Sequence, residues 1–579
     1  MRIQRDDRLY AQCDLQEFFS KYDNIELEKN KTIYERINAS DYQGISIPVH
    51  VRLLVVIGYG CMRYIRKIQD INPNTKILIY EPDEYYFAYA AICDKLFLSE
   101  ENDDMDIVIV IGKGELEILL KDAVQRLSGL TNLYHMYGIV SPGYGDLYPG
   151  MLGKTVMAVQ RILMANAAEY ETTIQYGRTV LKNELYALSM IGKSALLGDL
   201  FRKMSDKDMP IVLVGAGPSL EKNAEQLKDI SGRALIIACT RATETLEKYG
   251  VKADLVVMID PEEGHDYCAH DPNRTYSLLF YADSAIDIQK YYAGKGIYFG
   301  FHQNLFPLTR LNEEQIRLAT GGSVITCIFS YLLNAGYRNF VLVGEDLAFD
   351  DNQKTHSGSY LEKAEGQIFE TMGINGSIVR TRADWNIFRM FFEQELERHP
   401  EITITDATEG GALIKGSRVR ALREWMGTLA DQTYPIADWI NGLPKGNEKD
   451  VSEVMQVFEN LHNRCIEIQY LIKEALLWND RIMSMLVAEN QESSIYQNAC
   501  VNYDRLYHEI VDDKKWEFLR YYYADCIYEY AEETEQEGKN PRIKQKIENE
   551  KKFFQNIQKA IDELRVFLTE IMTGILCGN

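Results

Sequence analysis

Paired cysteines are absent from this chain, although it contains ten cysteines in 579 residues. No two of them are spaced as CxxC, and Cys239 and Cys327 lie inside apolar runs. Scattered thiols in a large chain are typical of reduced, buried cysteines in a reducing compartment. The nine histidines are equally dispersed, so the spacing predicts no zinc site.

Long apolar runs and an excess of positive charge are also absent. The longest apolar stretches have the length of a strand, which excludes a membrane-spanning helix, and the first residues contain no apolar core of a signal peptide. The net charge of −23 argues against nucleic acid and anionic membranes as partners. We therefore expect a cytoplasmic protein.

Short apolar runs alternate with amphipathic stretches in two parts of the chain, which predicts two parallel sheets with helices on their faces. The expected organisation is α/β, with two Rossmann-like parallel-sheet domains and a C-terminal all-helical domain. The predicted boundaries are an N-terminal domain at 1–150, a helical connector at 151–204, a central domain at 205–425 and a helical bundle at 430–579. The bundle is expected either to hold a protein acceptor or to stabilise or oligomerise the enzyme.

A strand, a glycine-containing turn and a helix follow one another in PIVLVGAGPSLEKN (210–223). Glycines let backbone N–H groups approach an anion, and a helix N-terminus supplies further donors. Leu220 stands where a dinucleotide fingerprint has its third glycine, and the Walker A ending is missing. The alternative is an ordinary strand–helix turn with Ser219 as its cap.

Two more strands end in acidic residues. Asp260 closes ADLVVMID before a proline, and Asp346 follows NFVLVGE. Acidic side chains at the carboxyl ends of parallel strands face the crevice in which open α/β sheets bind ligands. A second glycine-rich helix start, TGGSV (320–324), precedes the latter strand, and His356 in the loop QKTHSG is a candidate general base. An Asp-Pro turn and a solvated loop histidine are the simpler interpretations.

In this order the motifs resemble bacterial sialyltransferases of the GNGPSL type. They resemble more closely the motility-associated factors, which are flagellin glycosyltransferases. VVIGYGCMRYIRKI and KILIYEPD resemble the N-terminal domain of that family. Seven further segments resemble the central domain of that family: GAGPSLEKN, TRATETL, ADLVVMIDP, TGGSV, LVGEDLAF, THSG and DATEGGALIKG (406–416).

The resemblance implies the transfer of a sialic, legionaminic or pseudaminic acid from its CMP derivative to Ser or Thr of flagellin. It implies His356 or Asp260 as the catalytic base, no essential cofactor or metal, and flagellin as partner, with a second copy of the chain as a further candidate. The implied donor-binding residues are Gly215, Gly217, Pro218, Ser219, Thr240, Asp260, Gly321, Gly322, Ser323 and Asp346. Ala216 and Asp260 stand where the sialyltransferases have asparagines, so their donor geometry does not transfer directly.

Two rival functions stay open. A pterin diphosphokinase shares the central pattern and would require ATP and magnesium. A non-catalytic flagellar assembly factor would use the GAGPSL turn only to bind nucleotide. A further open question is Gly58-Tyr59-Gly60 with Glu81, which imitates a dinucleotide or methyl-donor site but has Arg63 at the third glycine position. A degenerate Rossmann-like scaffold without a ligand is the alternative.

Overall fold

The structure is a computed structural model that describes most residues between Arg2 and Cys577. The longest stretches outside the description are 11–23, 95–106, 113–119, 128–135, 263–276, 302–307, 312–320, 358–367 and 537–542. The chain divides into two compact units. One comprises Met1–Gly177 and Glu474–Ile557, and the other comprises Arg178–Lys473 and Gln558–Asn579. The predicted domain boundaries remain predictions.

The first unit contains a six-stranded sheet in the order β2-β1-β5-β4-β3-β6, parallel except for the pair of β1 and β2. Its strands are β1 (Arg2–Arg5), β2 (Arg8–Tyr10), β3 (Leu53–Ile57), β4 (Lys76–Glu81), β5 (Ile107–Ile111) and β6 (Met136–Val140). β3 and β4 are almost wholly buried, as expected for apolar strands covered on both faces.

The second unit contains a nine-stranded sheet whose strand pairs are all parallel, in the order β17-β16-β13-β8-β9-β10-β11-β12-β7. Its strands are β7 (Ala195–Leu196), β8 (Ile211–Val214), β9 (Leu235–Cys239), β10 (Leu255–Met258), β11 (Ser277–Tyr281), β12 (Ile297–Phe299), β13 (Asn339–Val343), β16 (Thr403–Asp406) and β17 (Arg418–Val419). A separate antiparallel hairpin joins β14 (Ile368–Met372) to β15 (Ile378–Arg382).

The strand order of this second sheet reverses at β8. From β8 the chain builds β9 to β12 on one side, and it then returns to place β13 and β16 on the other side. In doubly wound sheets such a reversal opens a crevice beyond the carboxyl ends of the two strands at the switch point. The segments that follow β8 and β13 are GAGPS and GEDLAF, so the topology brings these two motifs together.

Helices pack around both sheets and make up the last part of the chain. In chain order they are α1 (Asn24–Asn38), α2 (Met62–Ile71), α3 (Glu84–Cys93), α4 (Tyr144–Leu147), α5 (Leu152–Ser189), α6 (Leu197–Lys203), α7 (Leu220–Asn223), α8 (Thr243–Lys248), α9 (Ile286–Tyr291), α10 (Val324–Asn334), α11 (Ala383–Arg398), α12 (Leu422–Met426), α13 (Ile436–Asn441), α14 (Glu448–Val487), α15 (Ser494–Val511), α16 (Glu517–Tyr522), α17 (Ala524–Gln536) and α18 (Ile543–Leu576). Residues 430–579 are helical wherever the structure describes a regular element.

The predicted α/β fold class is confirmed, and the strands predicted from apolar runs are present. Eight of the described strands were not predicted, including the short strands β1, β2, β16 and β17. The stretch 151–204 is not wholly helical, because β7 pairs with β12 at the edge of the second sheet. The β14–β15 hairpin and β6 were not predicted, since their residues are mostly exposed or partly exposed and carry no buried apolar run.

No helix in the described part of the chain is long and apolar enough to cross a membrane. The described cysteines form no disulfide, and Cys61, Cys239, Cys327, Cys465 and Cys526 are buried.

Candidate functional site

A cavity of about 480 Å³ lies at the carboxyl ends of the strands around the switch point of the second sheet. This volume falls within the range of small-molecule sites. Eight of the predicted residues line it, and they come from six separate segments of the chain: Gly215, Gly217, Thr240, Asp260, Gly322, Ser323, Asp346 and His356. Pro218, Ser219 and Gly321 lie outside its lining.

The GAGPS turn after β8 is held closely against the end of β13. The Gly215 N–H donates to the carbonyl oxygen of Val343 at 2.9 Å, and the Gly217 N–H donates to that of Gly344 at 2.6 Å. A Cβ atom on Gly217 would lie 2.7 Å from the Gly344 oxygen, so a larger residue would push the two segments apart. The glycines are therefore required by the approach of two strand ends.

Asp346 holds the next part of this turn. Its carboxylate accepts the N–H of Ser219 at 2.7 Å and also the Ser219 hydroxyl. Burial raises the pKa of Asp346 to about 6, and the two bonds from Ser219 act in the opposite direction. Ser219 and Asp346 thus form a clamp between the start of α7 and the end of β13, which we call the Ser219–Asp346 clamp.

The hydrogen bonds of the GAGPS turn use the N–H groups that were predicted to bind a phosphate. The N–H groups of Gly215, Gly217 and Ser219 already have acceptors inside the protein, and Pro218 has no N–H. An anion could use those three donors only if the bonds to Val343, Gly344 and Asp346 were broken. Phosphate binding by this turn therefore stays a prediction.

Asp260 and His356 occupy different walls of the cavity. One carboxylate oxygen of Asp260 accepts the N–H of Glu262 at 3.0 Å, within the turn that follows β10. The His356 ring lies 3.4 Å from a guanidinium nitrogen of Arg241 through Nε2, and 2.9 Å from the Thr355 hydroxyl through Nδ1. Because a guanidinium can only donate, this geometry makes Nε2 an acceptor.

Two arginines of the cavity were missed by sequence reasoning. Arg241 follows Thr240 at the end of β9, where the TRATETL motif offered a signal. Arg382, at the end of β15, forms a two-point contact with Asp384 and stacks 4.3 Å from the centre of the Trp385 ring. Trp385 and Phe388 add an aromatic wall on the same side.

Glu345 was also missed, although it directly precedes Asp346. It lines the cavity, and its side chain is only 9% exposed. Burial raises its pKa to about 8, and the neighbouring carboxylates of Asp346 and Asp406 add to this effect. Strongly perturbed carboxyl groups in a cleft are candidates for functional residues.

The helix start GGSV presents a different arrangement. The Ser323 hydroxyl accepts the N–H of Thr326 at 3.1 Å, and the Ser323 N–H donates to the Thr326 hydroxyl at 2.9 Å. This reciprocal cap fixes the N-terminus of α10 beside the cavity, and Val324 and Ile325 line the cavity there. The predicted contact of this segment with a base or carboxylate remains a prediction.

In the first unit, the contacts of the Gly58-Tyr59-Gly60 motif and Glu81 are contacts within the protein. Glu81 is fully buried, and its carboxylate accepts the N–H of Tyr59 at 2.9 Å, the N–H of Asp83 at 3.0 Å and the Tyr148 hydroxyl. A Cβ on Gly58 would lie 2.4 Å from the Ser141 hydroxyl oxygen. An enclosed carboxylate with protein donors is a poor ribose ligand, which favours the interpretation as a scaffold.

No group of three or more histidine, cysteine or acidic side chains suited to a metal occurs among the described residues. The chain is an α/β protein with a cleft at the switch point of a doubly wound sheet, and both charged and apolar side chains line this cleft. Residues 182–352 match the sequence profile of the family described as 6-hydroxymethylpterin diphosphokinase MptE-like. No curated protein sequence matches the chain.

The fold is similar to that of a Maf glycosyltransferase from Magnetospirillum magneticum AMB-1. The two chains superpose with a TM-score of 0.51 at 15% sequence identity, over 96% of this chain and 85% of the other. The resemblance to the motility-associated factors, drawn above from short motifs, is confirmed at the level of the fold over nearly the whole chain.

Proposed function

We propose that the chain is a cytoplasmic glycosyltransferase that transfers a nonulosonic acid from its CMP derivative to a Ser or Thr hydroxyl of flagellin. One observation carries the proposal. Six of the seven central motifs that resemble motility-associated factors contribute residues to one cavity at the switch point of the sheet, and only DATEGGALIKG (406–416) does not. The similarity of fold to a Maf glycosyltransferase supports the same reaction class.

The proposed chemistry needs two functions from the cavity, a base for the acceptor proton and positive charge for the leaving group. The acceptor oxygen attacks the anomeric carbon, the bond to phosphate breaks, and the phosphate of CMP leaves with the electron pair. His356 or Asp260 takes the hydroxyl proton, a role that typically contributes 10²–10⁴-fold to the rate. Arg241 supplies positive charge near the leaving phosphate. We propose no essential metal or cofactor.

The test is the intact mass of flagellin expressed together with this protein and a pathway that makes a CMP-nonulosonic acid. We expect flagellin to gain the mass of one or more nonulosonic acid residues, and to gain none when the protein is omitted. His356→Ala and Asp260→Ala should lower the modified fraction at least 100-fold if the altered residue is the base.

A matched control is His399→Ala, since His399 lies at the end of α11 outside the cavity and is paired with Glu395 and Glu401. This variant should modify flagellin like the wild type. If His356→Ala and Asp260→Ala both remain fully active, the assignment of the base is wrong. If flagellin gains no mass with the wild-type protein and a working donor pathway, the proposed function fails.

A diphosphokinase is the second candidate, and the profile match over residues 182–352 favours it. That match covers only the centre of the chain, whereas the fold similarity to the glycosyltransferase extends over 96% of it. Formation of AMP from ATP and a hydroxymethylpterin with magnesium would decide for the diphosphokinase. The absence of that reaction together with flagellin modification decides for the transferase.

A further inference from the structure

Glu345 is a buried acid that faces the cavity without a hydrogen-bonding partner in the described part of the chain. Its side chain is 9% exposed and belongs to the lining of the cavity. Burial and neighbouring charges perturb its carboxyl group, and no described N–H or O–H contributes a hydrogen bond to it. A ligand that forms a hydrogen bond with such a buried polar group gains affinity, because the group is already shielded from water.

The carboxyl group lies where an anion is expected. A Cβ atom on Gly215 would lie 2.3 Å from Oε2 of Glu345, so the carboxyl group packs directly on the turn after β8. In folds of this type the ligand phosphate sits at that turn. Here the N–H groups of Gly215, Gly217 and Ser219 are used by the end of β13 and by Asp346. The Glu345 carboxyl group therefore packs on this turn and keeps its hydrogen-bonding capacity for a ligand.

The surroundings of Glu345 favour its neutral form. Asp346 in its own segment and Asp406 at the end of β16 are buried acids, and both raise the pKa of Glu345 beyond the effect of burial, to about 8. The other titratable or charged groups of the cavity are the buried thiol of Cys239 and the side chains of Asp260, Arg241, His356, Arg382 and Asp384. At neutral pH the carboxyl group keeps its proton and can donate it in a hydrogen bond.

We propose that the Glu345 carboxylic acid donates a hydrogen bond to the phosphate of the nucleotide bound in this cavity. The identity of that nucleotide as CMP rests on the proposed function. The proton stays on Glu345 throughout. As the bond to the anomeric carbon breaks, negative charge grows on the phosphate oxygen that accepts this hydrogen bond, and the interaction becomes stronger.

The test compares Glu345→Gln with Glu345→Ala in the full-length protein. Glutamine keeps a donor of similar shape but does not titrate, whereas alanine removes the donor. Affinities for CMP and for cytidine, which has no phosphate, are measured by calorimetry between pH 7 and 9.5. Glu395→Gln is the control, because Glu395 is an equally buried glutamate on α11 outside the cavity.

We expect Glu345→Ala to weaken CMP binding about 10- to 100-fold at pH 7, as the loss of a hydrogen bond to a charged group predicts. Glu345→Gln should bind CMP within a few-fold of the wild type. Wild-type affinity for CMP should fall above pH 8 towards that of Glu345→Ala, while Glu345→Gln should show no such fall. Cytidine should bind equally to all variants, and Glu395→Gln should follow the wild type.

Three results overturn the proposal. The first is a loss of CMP affinity in Glu345→Gln as large as in Glu345→Ala. The second is a CMP affinity that depends on pH in the same way in the wild type and in Glu345→Gln. The third is normal CMP binding by Glu345→Gln with a loss of turnover, which would make Glu345 the base. The wild type could bind another nucleoside monophosphate in place of CMP, with the same dependence on variant and pH. In that case the proposed function fails and the role of Glu345 stands. If the wild type binds none of these nucleotides, both fail.

Discussion

At the scale of single residues, the glycines of the second unit hold two strand ends against each other. Gly411, in the DATEGGALIKG segment, has a φ of 96°, and a Cβ there would lie 2.1 Å from the backbone oxygen of Asp346. The same oxygen accepts the N–H of Ala412 at 2.8 Å. Gly411 therefore lets the chain after β16 reach the backbone beside the Ser219–Asp346 clamp.

We expect Gly411→Ala to destabilise the protein by roughly 2–5 kcal/mol, because a positive φ costs about 1–2 kcal/mol and overpacking adds about 1–3 kcal/mol. Gly376→Ala is the matched control. Gly376 has a φ of 81°, but no atom lies within 4 Å of its added Cβ, so only the backbone cost applies. Urea denaturation measures both variants. Equal losses of stability would show that contact with Asp346 is unimportant.

The three buried acids at this point share a physical cause. Glu345, Asp346 and Asp406 are all shielded from water near the ends of β13 and β16, and burial is the largest reason for the raised pKa of each. Asp346 and Asp406 have protein donors, namely Ser219 and Thr408. Glu345 has no such donor among the described residues and faces the cavity, which makes it the functional candidate among the three.

At the scale of elements, the start of α10 depends on its reciprocal cap. Ser323→Ala removes the acceptor for the Thr326 N–H and should lower the free energy of unfolding by about 1 kcal/mol. Ser323→Thr keeps the hydroxyl and should lose much less. The urea midpoint gives both values, and a loss of stability in Ser323→Thr as large as in Ser323→Ala would argue against the cap.

The position of the cavity is likewise a property of elements rather than of single residues. β8 and β13 are neighbours in the sheet but are separated in sequence by β9 to β12. The short turns after β8 and β13 therefore meet at one switch point, although neither turn identifies a site by its sequence alone. This pairing explains why the order of the motifs along the chain was more informative than any one of them.

At the scale of the whole molecule, the buried acids make stability depend on pH. Their folded pKa values are raised mainly by burial, to about 6 for Asp254, Asp346 and Asp406, about 7 for Glu81 and about 8 for Glu345. The folded chain thus binds more protons than the unfolded chain between about pH 4 and 8. Its stability must fall as the pH rises through this window.

We therefore expect the melting temperature to be several degrees higher at pH 6 than at pH 8.5. The net charge of −23 acts in the same direction, because titration at higher pH increases self-repulsion. Glu401 is exposed and Glu453 is partly exposed, and their lowered pKa values act below pH 6, outside the compared range. Differential scanning fluorimetry at constant ionic strength measures the effect, and an equal or higher melting temperature at pH 8.5 contradicts it.

The amino-acid sequence by itself determined the fold class and most of the buried strands. Runs such as LLVVI in β3 and LIIAC in β9 are apolar at every position, and a strand covered on both faces needs that pattern. Exposed or very short strands escaped prediction, because β14, β15 and β7 derive their structure from pairing rather than from an apolar run. The order of the motifs also pointed to the site.

Only the tertiary structure decided what each site residue does. Sequence reasoning assigned the N–H groups of GAGPS to a phosphate, but β13 and Asp346 accept three of them. It chose Asp346 over Glu345, since adjacent acids look alike until burial and partners separate them. Local patterns report the conformation of a segment, whereas the partner of a donor depends on which distant strand is its neighbour.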